Sequence, residues 1–404
     1  MSVGLDHTRP RLLVLAFACS PGVGSEPGAG WGVVRALSSF ADLDVLVGPE
    51  HTAALAEWSA ANPTAHSIRF HTVPEPFWSR GPVRRAPLLF LVYLAWMRRA
   101  LPVARELVAS KEYAAVVQAT YSPYWLPSIG AQIGLPLVWG PVGGAVRTPL
   151  RLWRLLGLSG VLSELRDLVA VRACARLPRT RATWRAAALA IVNNEETLAA
   201  LDDPTRQRGL VLNHGLFTDT DGTHDAPPSR DIVWCSAMES RKGPLLAVHA
   251  LARLDRPARL VMIGDGPQRR RVQRAASRLG VADDVEFTGR VPRDEAIRRM
   301  SGAAATLFTG LREEGGLALS EALLLGTPTV VLAHGGARTI AEAAVDPARV
   351  ALVQPGSLDE AAARLAAALD RLLALPAAPR PPLLDVDTAV RRLEAAVRAV
   401  ITSP

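Results

Sequence analysis

Two adjacent basic residues in the C-terminal half of this sequence could neutralise a diphosphate. They lie in Ser240-Arg241-Lys242-Gly243, which follows an apolar segment and precedes a helix-like one. Lys242 supplies a compact charge and Arg241 a planar fork of donors, and both suit phosphate oxygens. Lysine is scarce in the sequence, with 2 residues against 44 arginines, which draws attention to Lys242. A basic surface turn is the simpler alternative.

A second segment with chemical potential is acidic and rich in glycine. It runs from Glu313 to Ala322 with the sequence EEGGLALSEA. Gly315 and Gly316 are predicted to lie at the start of a helix, where unpaired backbone N–H groups and the helix dipole favour a phosphate. Glu321 would lie in the first turns of that helix, where its carboxylate could accept hydrogen bonds from sugar or ribose hydroxyls. A capped surface helix is the alternative.

Two glycine turns complete the set. Gly264-Asp265-Gly266-Pro267 is a tight turn in which glycine lets the backbone approach a ligand closely. Val285-Glu286-Phe287-Thr288-Gly289-Arg290-Val291 runs from a strand into a second turn, which could present backbone groups to a nucleobase edge. Each turn is a weak signal alone, because such turns are common in α/β proteins.

All four segments follow predicted strands. Continuous apolar runs are typical of buried parallel strands. The predicted strands are residues 12–18, 43–48, 114–119, 137–139 and 188–193, then 231–236, 258–263, 285–288, 304–308 and 329–332. A glycine- and proline-rich turn at 20–30 is predicted to precede a helix at 31–40, and a last helix is predicted near 388–400. Alternating strands and helices predict a doubly wound α/β fold, in which ligands bind at the carboxyl ends of the strands.

The length of 404 residues fits two domains of similar size. Thr218–Arg230 is polar, contains a glycine and two prolines, and is predicted to be a linker. The expected division is an N-terminal domain at 1–217, a linker at 218–230, a C-terminal domain at 231–385 and a helical segment at 386–404.

The composition is that of a globular protein, with 49% hydrophobic and 21% charged residues. Cys19, Cys174 and Cys235 form no metal-type pair, and the polar N-terminus has no secretory segment, which favours a reduced, cytoplasmic setting. The longest apolar run, residues 86–97, is shorter than the roughly 20 residues of a spanning helix. A buried helix is favoured, and a membrane-surface helix is the alternative.

The net charge of +8 is unevenly distributed. Residues 1–215 carry +7, and residues 147–185 alone contain nine arginines and two acids, Glu164 and Asp167. Such a segment could meet an anionic membrane, a phosphorylated acceptor or nucleic acid, or be a solvated basic helix with no partner. No zinc-finger spacing or RNA-recognition signature is present, so nucleic acid is not expected.

The order of these motifs resembles glycosyltransferase family 4. Glu313 and Glu321 are separated by seven residues and followed by Gly326-Thr327-Pro328, and the order from Arg241-Lys242-Gly243 to Gly335-Gly336 follows that family. In the N-terminal half, GSEPGAGW at 24–31 and GPVGG at 140–144 are similar to a subgroup that acts on polysaccharide or glycoconjugate precursors. The resemblance thus spans most of the chain.

The resemblance implies the GT-B fold, which has two Rossmann-like domains facing a cleft and a C-terminal helix crossing back to the first domain. It implies sugar transfer from a nucleotide diphosphate-sugar with retention of configuration, without a metal or other cofactor. Asp42-Leu43-Asp44 has the Asp-x-Asp spacing of metal-dependent transferases, but it begins a predicted strand and is interpreted as structural.

The resemblance also assigns roles to individual residues. Lys242, with Arg241, would bind the donor diphosphate, Glu313 would contact the sugar near the reacting centre, and Glu321 would hold the ribose. The other residues expected to bind the donor are Gly28, Gly30, Gly264, Gly266, Gly289, Arg290, Val291, Gly315, Gly316 and Leu317.

The sequence departs from the family pattern at two places. Ser236 and Ala237 stand where many relatives have an arginine, and Gln118 stands where relatives often have a histidine near the reacting sugar. Gln118 could hydrogen-bond a sugar but could not act as a base. These departures motivate an alternative, a catalytically weak sugar-nucleotide-binding or scaffold protein of the same fold. A sugar-nucleotide epimerase is a third reading.

The acceptor is expected on the N-terminal side of the cleft. Candidate acceptor-binding residues are Glu26, Trp31, Tyr121 and Tyr124, and further aromatic residues in predicted loops are Phe77, Trp78 and Trp125. Aromatic faces suit sugars or apolar aglycones. Together with the basic segment they also suit a lipid-linked phosphate at a membrane surface, while core packing would explain several of them equally well.

Overall fold

The computed structural model describes residues 9–76, 89–218, 226–375 and 380–402. Phe77 and Trp78, residues 86–88 of the apolar run, and residues 219–225 of the expected linker lie outside this part of the chain. The described residues form two parallel β-sheets with helices on both faces. The prediction of a doubly wound α/β fold with two Rossmann-like sheets is therefore confirmed.

The first sheet has seven parallel strands in the order β3-β2-β1-β4-β5-β6-β7. Its strands are β1 (Arg11–Ala16), β2 (Asp42–Val47), β3 (Ile68–Thr72), β4 (Ala115–Gln118), β5 (Leu137–Val142), β6 (Ala187–Val192) and β7 (Gly209–Val211). Its helices are α1 (Ser25–Ser38), α2 (Thr52–Ala61), α3 (Leu89–Ser110), α4 (Gly157–Ala175), α5 (Pro178–Ala186), α6 (Glu195–Ala200) and α7 (Asp203–Arg206).

The second sheet has six parallel strands in the order β10-β9-β8-β11-β12-β13. Its strands are β8 (Ile232–Cys235), β9 (Leu260–Ile263), β10 (Val285–Gly289), β11 (Ala305–Phe308), β12 (Thr329–Leu332) and β13 (Val350–Val353). The remaining helices are α8 (Pro244–Leu251), α9 (Arg269–Arg278), α10 (Arg293–Gly302), α11 (Leu317–Leu324), α12 (Gly335–Glu342), α13 (Leu358–Leu373) and α14 (Val386–Thr402).

The central strands explain why the apolar runs were good predictors. β12 and β9 are buried along their whole length, and β1 is buried except at Arg11. A strand covered by helices on both faces has no polar side, so its sequence reads as a continuous apolar run. The edge strands β3 and β13, and the short β7, were not predicted, because half-exposed or brief strands lack that signal.

The N-terminal glycine motif is a helix rather than the predicted turn. α1 begins at Ser25, so Gly28 and Gly30 lie within its first turns, and Pro27 is tolerated there because the first N–H groups of a helix have no partner within it. A Cβ on Gly28 would collide with the Val23 carbonyl, and one on Gly30 with the Ala18 carbonyl. These glycines therefore let α1 pack tightly against the chain that leaves β1.

Two predicted helical segments behave as expected. α3 buries Val92, Tyr93, Trp96 and Met97, so the described part of the apolar run is a core helix. α14 crosses from the second sheet back to the first, where Ala389, Leu393 and Val397 join the core built around α1. Within the described residues, no helix combines the length and the apolar character needed to cross a bilayer.

Candidate functional site

The centre of the candidate site is an ion pair between Lys242 and Glu313. Lys242 ends a short 3₁₀ turn after β8, and Glu313 lies in the loop after β11, so the carboxyl ends of adjacent strands bring them together. The Lys242 ammonium donates to Oε2 of Glu313, and the two side chains are only 16% and 7% exposed. Burial alone would raise the pKa of Glu313, but the charge and hydrogen bond of Lys242 hold that pKa below its usual value. Glu313 is therefore an anion at neutral pH.

Glycine is needed on both sides of this ion pair. Gly243 has φ +66°, and a Cβ there would collide with the Thr309 carbonyl. Gly316 has φ +63° and is the N-cap of α11. Its N–H donates to Oε1 of Glu313 at 3.4 Å, so the glutamate bonds to the head of the helix as well as to Lys242. The structure thus brings the basic motif at residues 240–243 and the acidic motif at residues 313–322 together at the N-terminus of α11.

Glu321 lies further along the same helix and binds Arg293. The Arg293 guanidinium donates twice to Oε1 of Glu321, at 2.8 Å and 3.1 Å. Burial raises the pKa of Glu321, and the guanidinium opposes that rise without cancelling it. Glu321, Arg293 and Leu317 form the C-terminal wall of a cleft whose N-terminal wall is made by Gly22, Val23, Gly24, Gly28, Trp31 and Gly32. The sequence analysis did not predict Arg293 as a site residue. Its position at the start of α10, just after the Gly289 turn, could have indicated that it lies at the same sheet edge.

The two glycine turns of the second sheet are joined directly. The Gly264 N–H donates to the Gly289 carbonyl at 2.8 Å, at the carboxyl ends of β9 and β10. A Cβ on Gly264 would collide with the Ser236 carbonyl, and one on Gly266 would lie 2.7 Å from the Met238 carbonyl. Arg290 is exposed, and Val291 is half-buried against the core of the second sheet. These turns lie on the same sheet edge as Lys242 and Glu313.

Glu314, which sequence reasoning left without a role, connects the two halves of the molecule. Its carboxylate accepts hydrogen bonds from the Val146 N–H at 3.1 Å and the Asn194 side-chain amide at 2.8 Å. Its backbone carbonyl accepts from the Asn213 amide at 2.7 Å. Burial raises its pKa, and the hydrogen bonds only partly oppose the rise. Glu314 therefore ties the loop of Glu313 to the segment that follows the Gly140–Gly144 motif.

Glu26, which lies between the wall residues Gly24 and Gly28 in sequence, has a carboxylate bonded to strained backbone. Glu26 Oε1 accepts from the Tyr121 N–H at 2.8 Å. Tyr121 has φ +49° and Ser25 φ +63°, and they are the two non-glycine residues in the left-handed region among the described residues. Such a conformation costs about 1–3 kcal/mol and persists only where neighbouring contacts fix it. Glu26 and Tyr121, two of the residues predicted to bind an acceptor, are thus in direct contact.

His214 is a second residue that the sequence analysis missed. It precedes Gly215, and a Cβ on Gly315 would collide with its Nε2 atom, so the imidazole lies against the backbone next to Glu313. Burial lowers the pKa of His214, while the charges of Glu26 and Glu313 oppose that decrease. No motif surrounds it in the sequence, and only folding brings it between the two walls.

Three residues expected at the ligand surface are bound into the N-terminal core. Gln118 is 2% exposed and donates to the Tyr93 hydroxyl at 2.7 Å, so contact with a sugar would require that bond to be exchanged. Tyr124 is buried against Trp184, with ring centroids 6.2 Å apart, which corrects its expected place in the acceptor site. Trp31 packs edge-to-face on Trp58 at 4.7 Å and presents only part of its ring to the cleft. Large rings gain more from core packing than from exposure.

Asp44 of the Asp-x-Asp segment is bonded within the first sheet. Asp44 lies in β2 with no exposed surface and accepts hydrogen bonds from Tyr113 at 2.9 Å and Lys111 at 3.4 Å. His71 bonds the same carboxylate at 2.7 Å. Within the described ranges, no group of three or more His, Cys, Asp or Glu residues is arranged to hold a metal ion.

The C-terminal half of the chain matches a known protein family. Residues 224–376 match the model of the family "Glycosyl transferases group 1". A 2-deoxystreptamine glucosyltransferase of Streptomyces kanamyceticus is 37% identical over 90 residues, which is 22% of this chain and 23% of that protein. A GDP-mannose-dependent alpha-(1-6)-phosphatidylinositol monomannoside mannosyltransferase of Mycolicibacterium smegmatis is 38% identical over 119 residues, 27% of this chain and 31% of that protein. The chain thus matches less than a third of the length of these curated relatives.

Solved structures show similarity over the whole fold. Anabaena Alr3699/HepE, in complex with UDP and glucose, superposes with a TM-score of 0.54 at 16% identity, covering 96% of this chain and 100% of that one. The lipopolysaccharide outer core galactosyltransferase WaaB superposes with a TM-score of 0.56 at 13% identity, covering 97% and 96%. Residues 224–376 are thus similar to the group 1 glycosyltransferases, and the chain as a whole has the GT-B fold.

Proposed function

We propose that this protein is a retaining, metal-independent glycosyltransferase that moves a sugar from a nucleotide diphosphate-sugar to a glycan, glycolipid or natural-product acceptor. The observation that carries the proposal is the buried Lys242–Glu313 pair at the N-terminus of α11. It combines a cation, a carboxylate and a helix N-terminus in one small volume. Those three groups are what a donor diphosphate and its sugar require.

The leaving group explains the cations. When the bond between the sugar and the diphosphate breaks, negative charge grows on the diphosphate oxygens. Lys242 and the N-terminus of α11 are already in place to stabilise that charge, and groups that need no rearrangement lower the barrier most. Arg241, whose Nε donates to Glu239 at 2.7 Å, would add a second cation. An ammonium has three donors, so Lys242 can hold Glu313 and a phosphate oxygen together. This set of cations supports a reaction that proceeds without a metal ion.

The two glutamates are proposed to orient the rest of the donor. Glu313, held anionic by Lys242, would accept hydrogen bonds from the sugar hydroxyls next to the breaking bond. Glu321 would hold the ribose hydroxyls, with Arg293 fixing its carboxylate, and the joined turns at Gly264 and Gly289 would line the base pocket. Glu313 precedes α11 and Glu321 lies within it, so the donor would lie across the N-terminal part of that helix.

The acceptor would enter from the N-terminal wall. Glu26 and Tyr121 are rigidly placed there, and His214 lies between this wall and Glu313. The matched relatives are named for transfer to 2-deoxystreptamine and to a phosphatidylinositol mannoside. A polyhydroxylated small molecule and a glycolipid at the inner face of a membrane are therefore the two acceptor classes proposed, with the protein acting in the cytoplasm.

One observation favours a second candidate function, a sugar-nucleotide-binding or scaffold protein with little catalysis. Gln118 replaces the histidine of many relatives and is committed to the Tyr93 hydroxyl in the core. In that case donor binding would be retained, but transfer to an acceptor would be slow.

Donor binding is tested by a thermal-shift panel of UDP, GDP, ADP and dTDP in the presence of EDTA. A ligand at about 100 times its dissociation constant adds roughly 2.7 kcal/mol to the free energy of unfolding, which such an assay detects. One nucleotide should stabilise the wild type, and Lys242→Ala should lose that shift relative to its own ligand-free melting temperature. No stabilisation by any nucleotide would overturn the proposal.

Turnover separates the two candidates. The enzyme should release free nucleotide diphosphate from the matching donor when a suitable acceptor is added, and NMR of the product should show retained anomeric configuration. Donor binding without release, over a panel containing aminocyclitol and glycolipid acceptors, would favour the scaffold function.

A further inference from the structure

We propose that the outer face of α4 is a docking surface for an anionic lipid bilayer. The face carries Leu158, Leu162, Leu165 and Val169, which are 87%, 67%, 44% and 70% exposed. Their spacing of four, three and four residues places them in one row along the helix. This row is called the α4 stripe below. Its ability to bind does not depend on the proposed transfer reaction.

The α4 stripe is unusual for the surface of this molecule. Leu150, at the start of the 3₁₀ helix that precedes α4, and Leu177, just after α4, are also exposed, at 77% and 52%. Scattered single apolar residues are normal on a protein surface, but a continuous row is typical of a site that meets another apolar phase. The helix is too polar to cross a bilayer, so it would lie in the plane of the membrane surface.

Arginines flank the α4 stripe, and their positive charge indicates an anionic partner for this surface. Arg172, Arg176 and Arg179 are exposed, and among the described residues none of them has a carboxylate within 4 Å. Arg166 is exposed as well, and it pairs with Asp167 at 3.0 Å. An apolar row edged by cations matches a bilayer with anionic headgroups, in which the leucines enter the acyl boundary and the guanidinium groups bind phosphates.

The acidic residues of the segment face away from the stripe. Glu164 and Asp167 point to the opposite side of α4, where each lies 3.3 Å from the guanidinium of Arg312. Thr148 also donates to Glu164 at 2.6 Å. The charge of the outer face is therefore left to the arginines. A second copy of the chain fits this face poorly, because a symmetric contact would bring the same arginines against each other.

The position of α4 connects this surface to the candidate site. Arg312, which the inner face of α4 holds, is followed directly by Glu313. The inner face also contacts the turn of Lys242, since a Cβ on Gly160 would lie 3.2 Å from the Ser240 hydroxyl oxygen. A bilayer on the outer face would be separated from the catalytic loop by little more than the thickness of one helix, about 10–12 Å.

The test is co-flotation with vesicles made of equal parts phosphatidylcholine and phosphatidylglycerol, at low salt, with pure phosphatidylcholine vesicles as the reference. The wild type should float with the anionic vesicles and be released by high salt, because screening weakens the arginine contacts. Leu158→Asn/Leu162→Asn/Val169→Asn should lower the partition coefficient by at least tenfold. Arg172→Gln/Arg176→Gln/Arg179→Gln should lower it by roughly 100-fold, from about fivefold per arginine.

Matched controls distinguish this surface from general stickiness. Leu91→Asn/Val345→Asn/Leu375→Asn removes three exposed apolar residues elsewhere, and Arg270→Gln/Arg274→Gln/Arg278→Gln removes three exposed arginines of α9. Both controls should bind as the wild type does, and all variants should keep its melting temperature. The proposal is overturned if the wild type ignores anionic vesicles at low salt or if the α4 variants bind normally. It is also overturned if light scattering shows a dimer that the leucine variant converts to a monomer, since the stripe would then be a protein interface.

Discussion

The two walls of the cleft hold their carboxylates in different ways. On the C-terminal wall Glu321 is paired with Arg293, and at the N-terminus of the same helix Glu313 is paired with Lys242, so each charge has a countercharge. On the N-terminal wall, Glu26 accepts a backbone N–H, and its neighbours Ser25 and Tyr121 have strained backbone. Ion pairs thus fix the carboxylates on the C-terminal side, whereas a backbone hydrogen bond fixes the carboxylate on the N-terminal side. This division is what the proposed function requires, with an anionic donor on one side and a hydroxyl group of the acceptor on the other.

Glu314 connects the two sides of the cleft through hydrogen bonds. Next to Glu313 in sequence, it faces the opposite way and binds uncharged donors of the N-terminal half. Two neighbouring glutamates therefore have pKa values displaced in opposite directions, lowered for Glu313 and raised for Glu314. A nearby cation is what separates them.

Breaking the Lys242–Glu313 pair should have the largest effect. Lys242→Met should cost about 3–5 kcal/mol in the free energy of unfolding, because it leaves Glu313 buried without a countercharge. It should also lower kcat by about 100- to 1000-fold through loss of charge stabilisation. Adding Glu313→Gln should restore much of the stability measured by urea unfolding but none of the activity. Lys111→Met, at the other lysine of the chain, is the control for activity: it also removes a cation from a buried carboxylate, that of Asp44, and so should lower stability but leave kcat unchanged.

Glu321→Gln should have the next largest effect. The side chain keeps its shape but loses charged hydrogen bonds worth about 1.5–3 kcal/mol, so KM for the donor should rise roughly 10- to 100-fold. Initial rates at varied donor concentration measure this. Glu342→Gln, which removes an exposed partner of Arg338, should leave KM unchanged. An unchanged KM for Glu321→Gln would show that the donor ribose does not bind Glu321.

Glu314→Gln should change how stability depends on pH. Because burial raises the pKa of Glu314, its native-state preference for the proton stabilises the fold at low pH. That contribution is lost as pH rises from the unfolded value through the raised pKa, by about 1.4 kcal/mol for each unit between them. The free energy of unfolding of the variant, minus that of the wild type, should therefore increase with pH and then level off. Parallel urea-unfolding curves across this range would contradict the assignment.

The smallest effect should come from the N-terminal wall. Glu26→Gln removes a negative charge that opposes the burial-induced decrease in the pKa of His214. The pKa of His214 should fall further in the variant, as read by NMR titration of the imidazole. Glu57→Gln on the exposed face of α2 should leave it unchanged. An equal pKa in both variants would show that the two walls are electrostatically independent.

The sequence by itself determined the strand framework and the motifs of the C-terminal wall. β12 was predicted residue for residue, and β8, β9 and β11 to within two residues. These strands are buried on both faces, so their composition reports their environment directly. The motifs directly follow these strands in the sequence. Because parallel strands end at the same edge of a sheet, Lys242, Glu313 and the turns at Gly264 and Gly289 could be expected to lie close together, as they do.

Only the tertiary structure decided the contacts that cross between the halves. The pairing of Glu321 with Arg293, the role of Glu314, and the approach of His214 to Gly315 depend on residues far apart in sequence. Gln118 and Tyr124 were expected at the ligand surface and are buried in this structure, because a polar or aromatic residue at or after the end of a strand can point into the core as readily as into a cleft. Local sequence fixes where a strand ends. Which way each side chain points from there is set by the packing of the helices that cover it.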